Sequence, residues 1–250
     1  MKIILTGSTG VIGTEVLAQC IAHPAITSII VLIRRPLPDS VPSSPKLKVV
    51  IQKDFLSYPP SVLEEFVGAE ACIWAQGGMP SVFPTLEIAK EVNITYPVTF
   101  AQAVVPFLSP VLREKRKKFT MVYVSGHPAA KDQQKKLRIM PDARKIKGET
   151  ENRLLELQNT NGNENVFEAT FARVGSVIPR NNIVMAVLGV LTNPLYPAIG
   201  VEEFAAALID VAVSEQGRRK VDVGKVTDDE GVILHEEMKR RGKEILSGVK

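Results

Sequence analysis

Two cysteines, Cys20 and Cys72, are all that the 250 residues contain. Both lie in apolar segments and neither belongs to a metal-ligand spacing. They read as buried thiols of a reducing compartment rather than a disulfide, and the expected localisation is cytoplasmic. No zinc motif, nucleophile elbow or P-loop is present, and no metal is expected. Aromatic residues make up 6% of the chain. None interleaves with the basic clusters at 113–118, 131–138, 218–220 and 239–243, so these lack the stacking platforms of a nucleic-acid surface. The net charge of +4 therefore reads as solvated helix ends and loops. No apolar run reaches bilayer length, since Asn193, Pro194 and Pro197 interrupt the best candidate at 183–200. The opening MKIILTGSTG turns at once and leaves no room for a signal peptide.

What is there is a regular alternation. Short continuous apolar runs predict strands at 2–6, 28–33, 47–51, 69–75, 119–124, 166–171 and 220–223. Helical spacing predicts helices at 11–21, 61–66, 85–105, 142–159, 201–213 and 229–246. Pro97 falls inside the third and should kink it. Asp142, after Pro141, is expected to cap the fourth. Continuously apolar strands separated by helices define a parallel sheet covered on both faces. The expectation is an α/β, doubly wound Rossmann fold of one domain, residues 1–250, with 175–250 forming a small substrate-side elaboration.

The first strand runs into T6-G-S-T-G-V-I-G13. Gly7, Gly10 and Gly13 stand between a strand and an amphipathic helix. There glycine permits a tight turn, close approach of a pyrophosphate, and close packing of helix on strand. The helix N-terminus then faces the anion with free N–H groups. Gly7, Thr9, Gly10, Val11, Ile12 and Gly13 are the candidate phosphate-binding residues. The second strand ends in I33-R34-R35-P36, without the acid that binds a ribose 2′-hydroxyl. Arg34 and Arg35 suit a 2′-phosphate and favour NADP(H) over NAD(H).

Together these features resemble the short-chain dehydrogenase/reductase superfamily. The segments K53-D54-F55 and A75-Q76-G77-G78 resemble its adenine-contacting pair and its ribose-lining loop. Strand V122-Y-V-S-G126, helix segment K147-G-E-T-E151 and F171-A-R-V-G175 resemble the atypical branch of NmrA-like and Tat-interacting-protein-like members. The resemblance implies that Asp54, Phe55, Ala75, Gln76, Gly77, Arg173, Val174 and Gly175 join the cofactor site. It also implies that Lys147 is the lysine of a Tyr-x-x-x-Lys pair, which holds the nicotinamide ribose. Ala143 stands where the tyrosine would be, and Ser125 is followed by Gly126 where relatives carry paired serines. The missing phenol leaves Ser125 and His127 as candidate catalytic groups beside Lys147. Tyr123 is expected beneath the site, and Gly148 against the cofactor or a neighbouring helix. Three functions stay open: an NADP(H)-dependent reductase of a small carbonyl or enone substrate with a non-standard proton donor, a non-redox isomerase or dehydratase, and a cofactor-sensing regulatory protein. The partner is a small molecule of unknown identity, with a homodimer or a regulatory protein partner allowed.

Overall fold

The computed structural model describes residues 1–160, 162–180, 197–213 and 231–248. Its elements in chain order are β1 (Lys2–Thr6), α1 (Val11–Ala22), β2 (Ser28–Ile33), β3 (Leu47–Ile51), α2 (Pro60–Glu65), β4 (Ala69–Trp74), α3 (Leu86–Lys90), a π-turn (Glu91–Thr95) and α4 (Tyr96–Glu114). Then follow β5 (Phe119–Gly126), α5 (Pro141–Gln158), β6 (Phe167–Val174), β7 (Ser176–Ile178), β8 (Ala198–Gly200), α6 (Val201–Val213), β9 (Val232–Ile233) and α7 (His235–Leu246).

Seven strands form one parallel sheet in the order β3-β2-β1-β4-β5-β6-β9. This is a Rossmann-like α/β fold. Alternate residues of a strand point to opposite faces, so each apolar strand feeds two cores. Ile4, Cys72, Trp74 and Tyr123 pack with Phe100, Leu108 and Leu154 on the side of α2, α4 and α5. Ile3, Leu5, Ile73 and Val122 pack with Val16, Leu17, Phe204 and Leu208 on the side of α1 and α6. The strand order reverses between β2 and β4, around β1. At such a switch point a crevice opens at the carboxyl ends of the strands.

Several elements depart from the sequence reading. The helix expected at 85–105 is three segments and ends at Glu114, with Pro106 and Pro110 inside α4. Pro97 lies in the first turn of α4, and the irregularity is the π-turn just before it. A proline has no N–H for the carbonyl four residues back and its ring crowds that carbonyl. For Pro97 that carbonyl belongs to Asn93. The stretch Leu86–Glu114 is long and apolar enough to cross a membrane by composition, at a mean hydropathy of 1.2. Its Phe100, Ala101, Val104 and Val105 are fully buried against the sheet, as core residues are. β5 and β6 run further than expected, which puts Ser125, Gly126, Arg173 and Val174 inside the sheet. β7, β8 and β9 were not expected; each has two or three residues, too few for a periodic signal. The last helix starts at His235 rather than 229. The strand expected at 220–223 and most of the apolar run 183–200 lie outside the described residues.

Candidate functional site

The glycine turn needs its glycines for different reasons. Gly7 has φ +68°, and a Cβ there would meet the Ala75 carbonyl. A Cβ on Gly13 would collide with the Gly7 carbonyl, so helix α1 rests directly on the turn. Gly10 caps α1 in an extended conformation, and a Cβ there would meet only the Gly7 oxygen, at 3.4 Å. The space beside Gly10 is open, as a bound phosphate requires. A crevice of about 510 Å³ runs from Gly7, Thr9 and Gly10 to Arg34, Arg35, Pro36 and Pro38. Both arginines are exposed at its rim. Ala75, Gln76 and Gly77 line its inner end, and the same three residues line a second cavity of about 460 Å³. Gln76 sits between the two with a buried Nε2 that has no partner. The residues present therefore fit an elongated dinucleotide with its phosphates at Gly10 and an adenosine phosphate at the arginines.

The second cavity is where chemistry can happen. Val124, Ser125, Gly126, Met140, Ala143, Arg144, Ile146, Lys147, Val174 and Gly175 are among its walls. Lys147 donates from Nζ to the Tyr123 hydroxyl at 3.1 Å and to the Val124 carbonyl at 3.0 Å. The same Nζ lies 4.7 Å from the centre of the Tyr123 ring, within cation–π range. Tyr123 donates in turn to the Asn93 carbonyl at 3.1 Å. Thr150 shares its hydroxyl proton between the same oxygen at 3.0 Å and the Ile146 carbonyl at 2.9 Å. The carbonyl denied an N–H by Pro97 thus receives two hydroxyls, and through Tyr123 it holds Lys147. Asn93 also accepts from Gly78 N–H through Oδ1 at 3.1 Å, which fixes the loop after β4. Sequence reasoning missed Asn93. The signal available was its position four residues before Pro97.

Other expected groups have different work. The Ser125 hydroxyl donates to buried Glu151 at 2.6 Å. Arg173 makes two bonds to the same carboxylate, at 3.0 and 2.5 Å, and does not line either cavity. The sequence reading put Arg173 at the cofactor; the structure gives it to Glu151, a partner 22 residues away in sequence that no local pattern shows. His127 does not line the second cavity, although its neighbours Gly126 and Pro128 do. Burial, then the charges of Arg173 and Arg144, hold its imidazole below the ordinary value. Phe55 is fully buried among Tyr58, Trp74 and Tyr96, in the core and not at the crevice. Asp54 accepts from the Leu56 N–H and lies outside the crevice. Ile12 lines the second cavity, whereas Val11 lines neither.

Helix α5 starts two residues earlier than an Asp142 cap would require. Its N-cap is Met140, at φ +46°, a backbone region that a methionine occupies at a cost and that clusters at functional sites. Gly148 is pressed by the loop after β5, not by a helix or a ligand. A Cβ on it would collide with the Ala130 carbonyl. That loop is tied to α5 by Ala130 N–H to the Arg144 carbonyl (2.9 Å) and by Arg144 Nε to the Pro128 carbonyl (2.9 Å).

Solved structures with a similar fold include short-chain dehydrogenase/reductases. A short-chain dehydrogenase/reductase family oxidoreductase from Burkholderia thailandensis superposes with a TM-score of 0.65 at 15% identity, covering 98% of this chain and 96% of that one. Gre2 in complex with NADPH from Candida albicans superposes with a TM-score of 0.61 at 15% identity, over 94% and 78% of the two chains. At these identities the likeness is one of fold. No family model matches the sequence. A curated relative, leucinostatins biosynthesis cluster protein T of Purpureocillium lilacinum, is 34% identical over 125 residues. The match spans 50% of this chain and 42% of that protein, so less than half the relative's length is represented. Ala143 lines the second cavity one helical turn before Lys147.

Proposed function

We propose that the chain is an NADP(H)-dependent oxidoreductase of the short-chain dehydrogenase/reductase type, reducing a small carbonyl or enone substrate with a non-standard proton donor. The observation that carries this reading is the wall that the two cavities share. Ala75, Gln76 and Gly77 line both the crevice with Gly10 and the two arginines and the cavity that holds Lys147. NADPH, when bound, supplies the hydride. Arg34 and Arg35 give planar donors to a 2′-phosphate, and the open face of Gly10 admits the pyrophosphate. Lys147, held from behind by Tyr123, presents its remaining N–H to a ribose hydroxyl or to a substrate oxygen. With Ser125 committed to Glu151 and His127 off the cavity, Lys147 and the water it orders are the proton source we assign. In this reading 1–250 act as one domain of a cytoplasmic protein, with residues after 175 on the substrate side.

A second reading is favoured by one observation, the alanine at 143. A protein that binds NADP(H) without turning it over, and reports it to a partner, needs Lys147 but no phenol. One experiment separates the two. Binding of NADP(H) and NAD(H) is measured by calorimetry, and NADPH oxidation is then followed with a panel of aldehydes, ketones and enones. Tighter binding of NADP(H) with oxidation by a panel member supports the enzyme. Tight binding without oxidation supports the sensor. Equal affinity for the two dinucleotides would overturn the role given to Arg34 and Arg35.

A further inference from the structure

The wall of the second cavity is unevenly charged. Ala143, Arg144 and Lys147 share one face of α5, Met140 caps its start, and all four line the cavity. Two are cations one turn apart. No aspartate or glutamate lines the cavity among the described residues. The rest of the wall is largely apolar, from Ile12, Met79, Pro80, Ile146, Val174 and Val177. Neither cation has an ion-pair partner among the described residues. Lys147 is bonded only to neutral oxygens. Arg144 uses Nε on the Pro128 carbonyl, which anchors the guanidinium and leaves its terminal nitrogens without a partner among the described residues. Like charges at this spacing repel and destabilise a helix, and the low polarity around them strengthens the effect. The other arginines of the site are accounted for, Arg173 by Glu151 and Arg34 and Arg35 by the crevice.

We infer that the substrate carries a carboxylate and that Arg144 receives it, with the apolar wall covering the rest of the molecule. This rests on the oxidoreductase reading and adds the substrate class. Lys147 spends two of its three N–H groups on β5 and the third on the reacting centre, so Arg144 is the cation left to bind a charged group of the substrate. Its two terminal nitrogens pair with both oxygens of a carboxylate, whereas a phosphate would leave a charged third oxygen against the apolar wall. A cavity of this size suits an aryl or alkyl body.

The test uses benzoate, benzamide and phenyl phosphate as probes, titrated into the full chain saturated with NADP⁺. Benzoate should bind about tenfold or more tightly than benzamide, the step expected of a charge-assisted bond. Arg144→Gln should abolish that preference while keeping NADP⁺ affinity, and Arg144→Lys should retain part of it. No saturable benzoate binding in the millimolar range, equal affinity for benzamide, tighter binding of phenyl phosphate, or a preference that survives Arg144→Gln would overturn the inference. If Arg144→Gln does not fold, the wild-type comparison of the three probes decides. Failure of NADP⁺ itself to bind would instead overturn the oxidoreductase reading; the probes are then titrated into the protein alone, and benzoate preference there still decides the role of Arg144.

Discussion

Lys147 is defined by what holds it. Its ammonium is bonded to a phenol and a carbonyl on β5, so it stands in place before any ligand arrives. Lys147→Ala should therefore weaken NADP(H) binding by roughly 1.5–3 kcal/mol, the range for a hydrogen bond to a charged group. Calorimetry on the folded variant reads this directly, and an unchanged affinity would make the lysine a mere helix charge. Glu151 behaves differently. It is fully buried, accepts from Ser125 and neutralises Arg173. Glu151→Ala would remove the carboxylate half of a buried ion pair, a change that costs about 3–5 kcal/mol. Urea unfolding should show that loss, whereas Ser125→Ala removes one donor to the charged carboxylate and should cost about 1.5–3 kcal/mol. A Ser125→Ala variant that keeps its stability but loses turnover would return Ser125 to the chemistry.

At the scale of elements, the informative piece is the π-turn. α-Helical bonding would give the Asn93 carbonyl the N–H of residue 97, and Pro97 has none. The freed oxygen becomes the anchor for Tyr123 and Thr150. Pro97→Ala restores that N–H and lets the helix reclaim the carbonyl. Tyr123 then loses its acceptor and Lys147 part of its support. We expect NADP(H) affinity to fall about fivefold, the effect of one neutral hydrogen bond of about 1 kcal/mol, without loss of thermal stability. Tyr123→Phe should give a similar loss, and the double variant should be no worse than either single one, because both break one chain of contacts. Additive losses would mean that the two act separately. This element also marks where the sequence was legible. The strands β1 to β4 and the glycine turn could be placed because their signals are local: apolar runs, turn residues, a fixed spacing. Pro97 was read as a kink, but the consequence for Tyr123 could not be seen, because the two meet only after β5 and α4 pack. Arg173 and Phe55 were misplaced for the same reason, and the Ser125–Glu151 bond was invisible for it. Their partners lie across the fold, and a motif gives position along the chain rather than the direction of a side chain.

For the whole molecule, the scarcity of histidine becomes an advantage, because its three imidazoles can be followed together. His23, His127 and His235 are all held below the ordinary value of 6.5, in each case first by burial. His235 is 2% exposed, and its Nδ1 accepts from the Gly175 N–H at 3.2 Å. That nitrogen must be unprotonated to accept, so protonation would cost the bond as well as the burial of a charge. Gly175 lines the second cavity, which links this imidazole to the site. The sign of the effect follows from proton uptake. The unfolded chain binds protons at ordinary histidine values, while the folded chain resists until lower pH. Stability from these groups is fully present above about pH 6.5 and is lost as pH falls from there toward the lowered folded values. Carboxylates titrate mainly below this window, so the upper part of any acid loss belongs to the histidines. The urea midpoint should therefore fall between about pH 7.5 and about pH 5.5. His235→Gln should flatten that fall, since a neutral amide takes up no proton and its carbonyl can accept from Gly175. His127→Gln should flatten it further. A midpoint that stays level, or rises, on acidification would show that the native imidazoles are protonated and that His235 does not hold Gly175 as an acceptor.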